Sequence, residues 1–273
     1  MKKILVLTNL SYKAENAALY ALKLAERTNA NIILYQSIKV PVHSMVTDDV
    51  DANDEMVEQQ KDSLAQLSNL AARLEKHQPS GIFKPHIEII NEFGDLAVNV
   101  SQLITDRAIN LIVMGAKSNG ELSYLVFGET NAVLTGVKCP VLFVPYKADF
   151  KGFNTIVYST DLKKAYPKAV SFLTDLGRID NSDIIITHIG PVAKFDQRQC
   201  IELFQQVFEY PNIVYRQLPV GNISEQLEKF AVEADADLTV MVHHEHTLYG
   251  MPLPDNSTKM LEKQATPLLV LPD

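Results

Sequence analysis

Tryptophan is absent, and 273 residues include only 2 cysteines and 11 glycines. Cys139 and Cys200 make neither a disulfide framework nor a zinc spacing, so reduced thiols in a cytosolic chain are expected. With 11 Gly and 13 Pro, collagen-like and low-complexity chains are excluded. Nowhere do 18 apolar residues follow one another, so nothing reads as a membrane span. The basic start Met1-Lys2-Lys3 leads into an apolar run that stops at Thr8-Asn9, too short for a signal-peptide core. Basic charge is in deficit: 25 Lys and Arg face 33 Asp and Glu, a net charge of −8. That removes the global basic field of a nucleic-acid binder and the polybasic signal of a membrane-surface protein. The 10 Tyr and 11 Phe are not interleaved with a basic patch, so the signature of single-strand binding is missing. A soluble cytoplasmic protein is the reading.

What is present is a 47% apolar chain, long enough for two cores. Its acidity is local. Asp48, Asp49, Asp51, Asp54, Glu55, Glu58 and Asp62 stand against Lys61, a charge of −6 in one stretch. This reads as a solvated loop and helix start, with a docking surface for a basic partner as the alternative.

The chain repeats itself. At an offset of 152, Ile4–Leu10 lines up with Ile156–Leu162, and Asn31–Leu34 with Asp183–Ile186. At an offset of 127, Asn110–Met114 matches Asp237–Met241, Pro140–Pro145 matches Pro267–Pro272, and Gly94 pairs with Gly221. The first copy is thus 25 residues longer, and the surplus falls in the segment with the acidic run.

Each copy alternates strand and helix. Ile4–Thr8, Ile32–Ser37, His86–Ile90, Leu111–Met114 and Val141–Val144 are near-continuous apolar runs, suited to strands covered on both faces. Ala14, Ala18, Ala21, Leu22 and Ala25 make one helical stripe. Val57, Leu64, Leu67, Ala71 and Leu74 make a second, stopped by Pro79 and Gly81. Leu96, Val100, Leu103 and Ile104 make a third, ended by Asn110, and Thr130–Val137 fits a fourth. In the second copy, helices are expected near Ala165–Gly177, Gln197–Tyr210, Ser224–Ala234 and Ser257–Gln264, with Lys147–Asn154 as linker. Strand–helix alternation of this length implies right-handed crossovers and a doubly wound parallel α/β sheet in each of two domains, 1–146 and 152–273.

Ligands of such sheets bind beyond the carboxyl ends of the strands. In the first copy these ends are Thr8-Asn9-Leu10-Ser11, Gln36-Ser37-Ile38, and the stretch from Gly115 through Lys117 and Ser118, followed by Gly128-Glu129-Thr130 at a helix start. Backbone N–H groups of a glycine-bearing loop entering a helix suit an anion.

On these residues the chain resembles a tandem universal stress protein along nearly its whole length. The nucleotide-binding members of that family carry Gly-x2-Gly-x9-Gly-(Ser/Thr) after strand four and an Asp after strand one. The resemblance implies two Rossmann-like units, each a five-stranded parallel sheet flanked by helices. It also implies an intramolecular pseudo-dimer through the last strands, Val141–Val144 and Leu268–Leu271. A homodimer is a further option.

The departures have a direction. In the first copy the pattern becomes Gly115-x2-Ser118-x9-Gly128-Glu129, and the strand-one Asp is Asn9. In the second it becomes Val242-x2-Glu245-x9-Asp255-Asn256, with Asp161 kept. Glycines permit close backbone approach to phosphate, which β-branched Val242 resists. Glu129 and Asp255 place a carboxylate where the phosphate belongs, a repulsion of roughly 2–3 kcal/mol at an effective dielectric near 20. The reading is no nucleotide site in the second copy. In the first, a weakened site for ATP or another adenine nucleotide would use Asn9, Ser37, Gly115, Lys117, Ser118, Gly128 and Thr130. No other cofactor and no metal is expected.

Remaining candidates are weak. His243-His244-Glu245-His246 lacks HExxH or CxxC spacing and reads as a degenerate loop. Cys139, beside Lys138, reads as a half-buried structural thiol, and Cys200 as an apolar helix position. No Gly-x-Ser-x-Gly elbow occurs. The resemblance and the residues together imply a non-catalytic stress-response or regulatory protein that presents surfaces to a protein partner. A nucleotide-dependent switch or slow ATPase using the first copy's loop is the alternative.

Overall fold

The computed structural model describes residues 2–39, 50–78, 83–116, 132–133, 136–160, 167–189, 201–202, 205–206, 208–244, 247–248 and 266–272. The chain forms two compact units, with the main boundary between Val141 and Leu142.

In the first unit, β1 (Lys3–Leu7) leads through α1 (Tyr12–Thr28) to β2 (Asn31–Ile38). Next, α2 (Val50–Lys76) leads to β3 (Ile87–Phe93), and α3 (Leu96–Arg107) leads to β4 (Leu111–Ala116). The strands are parallel in the order β3-β2-β1-β4, so the winding reverses between β1 and β4. β5 (Val141–Pro145) starts beside β4, where the Ile112 N–H donates to the Pro140 carbonyl at 2.9 Å.

The second unit carries β6 (Thr155–Ser159), α4 (Pro167–Asp180), β7 (Asp183–Ile189), β8 (Ile213–Leu218), α5 (Ile223–Glu233), β9 (Leu238–His244), β10 (Thr247–Leu248) and β11 (Leu268–Pro272). Its parallel order, β8-β7-β6-β9-β11, repeats that of the first unit. The repeat extends to register. Ile4 pairs with Ile32 and Leu111, and Ile156 pairs with Ile184 and Leu238. These pairs are related by the same offsets that relate the two copies in sequence.

The apolar runs became strands because helices cover them: Ile4, Leu5, Val6, Ile112, Val113, Ile156 and Val157 are fully buried. α1 buries the whole alanine stripe, and small side chains let it lie close to the sheet. Ser11 caps it, accepting from the Ala14 N–H, and Asn29 ends it in the left-handed conformation at φ 52°.

α2 departs from expectation. Its buried arc is Ser63, Leu67, Leu70, Ala71 and Leu74, whereas Val57 and Leu64 are 48% and 36% exposed. The reason is polar. The Ser63 hydroxyl donates to Gln36 Oε1 at 2.9 Å and accepts from Asn91 Nδ2 at 3.0 Å. Asn91 Nδ2 also donates to the Gln60 carbonyl. This network turns Ser63 inward and moves Leu64 to the rim. Residues 35 and 36 of one strand face opposite sides. Gln36 meets α2, while Tyr35 shares a hydrogen bond with Asn99 of α3, so the two helices cover opposite faces. α3 ends at Ala108, at φ 51°, ahead of the Asn110 the sequence pointed to.

Part of the expected linker packs into the second unit. Phe150 and Phe153 are buried in edge-to-face contact 5.1 Å apart, and the Phe153 N–H donates to Asp180 Oδ2. The helix expected at Ser257–Gln264 lies outside the described residues; half of the segments expected at Thr130–Val137 and Gln197–Tyr210 is described, and residues 132, 133, 136, 201, 202, 205 and 206 there are helical. No described helix is long and apolar enough to cross a membrane.

Candidate functional site

β1, β2 and β4 bring three of the sequence-derived residues to one carboxyl edge. The register sets Leu7 beside both Tyr35 and Met114, so Asn9, Ser37 and Gly115 follow on neighbouring strands. Lys117, Ser118, Gly128 and Thr130 lie outside the described residues, as do Glu129, Asp161, Glu245 and Asp255.

Each of the three has a local task. Asn9 is exposed, and its Oδ1 accepts the Ser11 N–H at 3.2 Å, while Thr8 Oγ1 accepts the Leu10 N–H at 3.0 Å. These side-chain turns hold Leu10 at φ 61°, a conformation uncommon for a residue with a Cβ. Ser37 donates to the Gly94 carbonyl at 2.8 Å, and the Gly94 N–H donates to the Ile38 carbonyl. Gly94 itself sits at φ 120°, which requires glycine. Beneath, Tyr35 is fully buried and donates to Glu92 Oε2 at 3.4 Å. Burial above all, against a hydrogen bond from Asn99, pushes the Tyr35 phenol up to about 12.

Gly115 has a packing reason. A Cβ there would lie 3.2 Å from the Lys13 carbonyl oxygen, in the first turn of α1. The first glycine of the pattern therefore lets α1 approach β4, whatever the loop binds.

α2 shapes the rim above this edge. Gln60 and Ser63 are level with Asn91 and Gln36, close to the strand ends. The ten residues before Gln60 rise ~15 Å further toward and past the carboxyl edge. Asp54, Glu55 and Glu58 are exposed on that rise.

The second unit builds something else at the equivalent edge. β9 runs on through Val242, which is 5% exposed, to His244, and β10 folds back on it antiparallel. His244 pairs with Thr247 and His243 with Leu248. Where the sequence suggested a degenerate loop, His243 and His244 are strand residues of a hairpin. One nearby residue, His188, escaped the sequence reading. His188 at the end of β7 donates from Nδ1 to the Thr160 carbonyl at 3.2 Å, and Thr160 is buried. No cluster of three or more His, Cys, Asp or Glu able to hold a metal occurs among the described residues.

Cys139 is more deeply buried than expected, at 3% exposure, and Sγ faces the Ile109 carbonyl. Burial pushes its thiol up to about 12, partly offset by a backbone hydrogen bond from Ile112, so Lys138 does not activate it.

Sequence reasoning also missed a cleft of about 170 Å³ between α1 and α2, lined by Leu10, Ser11, Glu15, Gln66, Asn69, Leu70 and Arg73. Arg73 Nε and Nη2 grip Glu15 Oε1 and Oε2 at 2.7 and 3.0 Å. The pair is 58 residues apart in sequence, and no local pattern announces it.

The model of the universal stress protein family matches residues 1–145. No curated protein matches the chain. Among solved structures, a universal stress protein from Archaeoglobus fulgidus DSM 4304 is similar with a TM-score of 0.75 and 16% identity, over 99% of this chain and 96% of that one. A putative universal stress protein from Pseudomonas aeruginosa UCBPP-PA14 gives 0.60 and 16%, over 100% and 93%. The cytoplasmic domain of a prokaryotic cation chloride cotransporter gives 0.56 and 13%, over 98% and 94%. At these identities the structural likeness speaks for the fold alone.

Proposed function

The chain belongs to the universal stress protein family, and from that premise we propose that it is a non-catalytic regulatory member, with a weakened adenine-nucleotide site in the first unit and none in the second. The observation that carries the reading is the β9–β10 hairpin. It occupies the edge where a phosphate loop would begin, with buried Val242 in place of the first glycine. In the first unit the reading is supported by Gly115 and Ser37, whose local roles are met within the protein. The acidic rise of α2 disfavours an approaching triphosphate, though less so at physiological salt, where the screening length is ~8 Å.

Two measurements test it. An acid extract of freshly purified protein should show no stoichiometric adenine absorbance. Millimolar Mg-ATP should stabilise the fold weakly, by about 0.8 kcal/mol at three times Kd. Stoichiometric adenine, or steady ATP hydrolysis abolished by substitution of Lys117, would instead establish the switch or slow ATPase.

Pairing of Val141–Val144 with Leu268–Leu271 belongs to the same proposal. Both segments are apolar and buried, and prolines bracket both. Residues 1–146 and 152–273 expressed as separate chains should co-purify, and independent behaviour would remove the pairing.

A further inference from the structure

We propose that the cleft between α1 and α2 in the first unit binds a neutral, hydroxyl-rich small molecule of pentose or hexose size. Its Leu10 and Ser11 adjoin Asn9, but its lining includes none of Asn9, Ser37 and Gly115, and it does not depend on the nucleotide reading.

The chemistry of the walls selects the ligand class. Glu15 and Arg73 satisfy each other's charge through two parallel hydrogen bonds. An anion would meet the Glu15 carboxylate, and a cation would meet the Arg73 guanidinium, so neither gains net Coulombic attraction. A neutral molecule pays no such cost. Of the five N–H donors of Arg73, Glu15 takes two, which leaves three for a ligand. Gln66 and Asn69, three residues apart on α2, line the same cleft, and neither carboxamide has a protein partner among the described residues. Each carboxamide offers both a donor and an acceptor. Planar groups with paired donors and acceptors match vicinal hydroxyls, each of which is itself a donor and an acceptor. Half-buried Leu10 supplies apolar surface for the C–H face of a sugar ring.

Size and backbone agree with this. A volume of about 170 Å³ leaves room for several waters, which one small sugar would displace. Leu10, at φ 61°, forms part of the wall. Left-handed non-glycine residues persist where their surroundings over-determine them, and they concentrate at ligand clamps.

The test is a titration of the ¹⁵N-labelled full chain with D-ribose and with D-glucose, read by NMR. At millimolar sugar, the side-chain amide signals of Gln66 and Asn69 and the backbone amide of Leu10 should shift and saturate. The double variant Q66A/N69A should bind at least about tenfold more weakly, at an unchanged or slightly raised melting temperature, since both side chains are exposed on α2 and have no protein partner among the described residues. The proposal is overturned if neither sugar produces saturating shifts at those signals, or if the double variant binds like the parent. It is equally overturned if inorganic phosphate saturates the same signals more tightly than either sugar, which would make the cleft an anion site. Mg-ATP shifts confined to Asn9 and Gly115 would report on the nucleotide reading alone.

Discussion

Asn110 and Asp237, 127 positions apart, perform one task in the two units. Asn110 Oδ1 accepts the N–H groups of Lys2 and Lys3 at 2.8 and 3.1 Å. Asp237 Oδ2 accepts those of Asn154 and Thr155 at 2.7 and 3.0 Å. In both cases a side chain just before the fourth strand of its unit ties down the start of the first. The task needs an acceptor oxygen, not a charge. D237N should therefore cost little, below about 1 kcal/mol, whereas D237A should cost about 1–3 kcal/mol for the two hydrogen bonds it removes, at about 0.5–1.5 kcal/mol each. Urea unfolding of the two variants checks this, and equal losses would show that the charge is what counts.

Gly177 and Tyr210 form a second constrained pair. A Cβ at Gly177 would lie 2.8 Å from the Tyr210 oxygen, which itself donates to the Ser182 carbonyl at 2.5 Å. G177A should destabilise by about 1–3 kcal/mol, as overpacking does. Y210F removes the opposing oxygen, so the double variant should lose less than the sum of the single losses. A double-mutant cycle measures that difference, and strict additivity would refute the steric account.

Ser63 and Ser68 share α2 but not a fate. Ser68 is exposed and donates to the Leu64 carbonyl of its own helix at 2.8 Å, whereas buried Ser63 links Gln36 and Asn91. S68A should be neutral or slightly stabilising, because alanine is the better helix former. S63A should cost about 1–3 kcal/mol, because buried Asn91 and half-buried Gln36 each lose a bond. Denaturant midpoints for both variants decide the point.

Alkaline pH should weaken the fold in a defined window. Cys139 is raised from 9.0 to about 12 and Tyr35 from 10.0 to about 12, both chiefly by burial. A raised folded value means the folded state holds its proton longer than the unfolded chain. The contribution is therefore complete below the unfolded value and is lost as pH climbs through the folded one. Stability should fall from about pH 9 toward 12, by at most about 1.4 kcal/mol per pH unit for each group. Replacing Cys139 by Ala should flatten the early part of that decline. In a C200S background, the native protein should also ignore a thiol reagent near neutral pH and react once unfolded.

The sequence by itself determined the repeat, the order of strands and helices, and, to within about three residues, the places where strands end. Apolar runs at a fixed offset can be buried only by the same architecture twice, and the register of Ile4 with Ile32 and of Ile156 with Ile184 obeys that offset. The candidate edge was legible too, because strand ends follow from where apolar runs stop. Tertiary structure decided what lies opposite each residue. Helical periodicity favoured Leu64 over Ser63 inside α2, and the polar partners Gln36 and Asn91 on other strands reversed that. The spacing shared with the family pointed Gly115 to a loop's chemistry, and the distance to Lys13 adds a packing reason that no local pattern shows. The His243–His244 segment read as a loop by composition and became a hairpin once β10 paired with β9. The cleft around Glu15 and Arg73 has no local signature at all. Local patterns record which residues avoid water, and hydrogen bonds and steric contacts between distant segments exist only once the chain has folded.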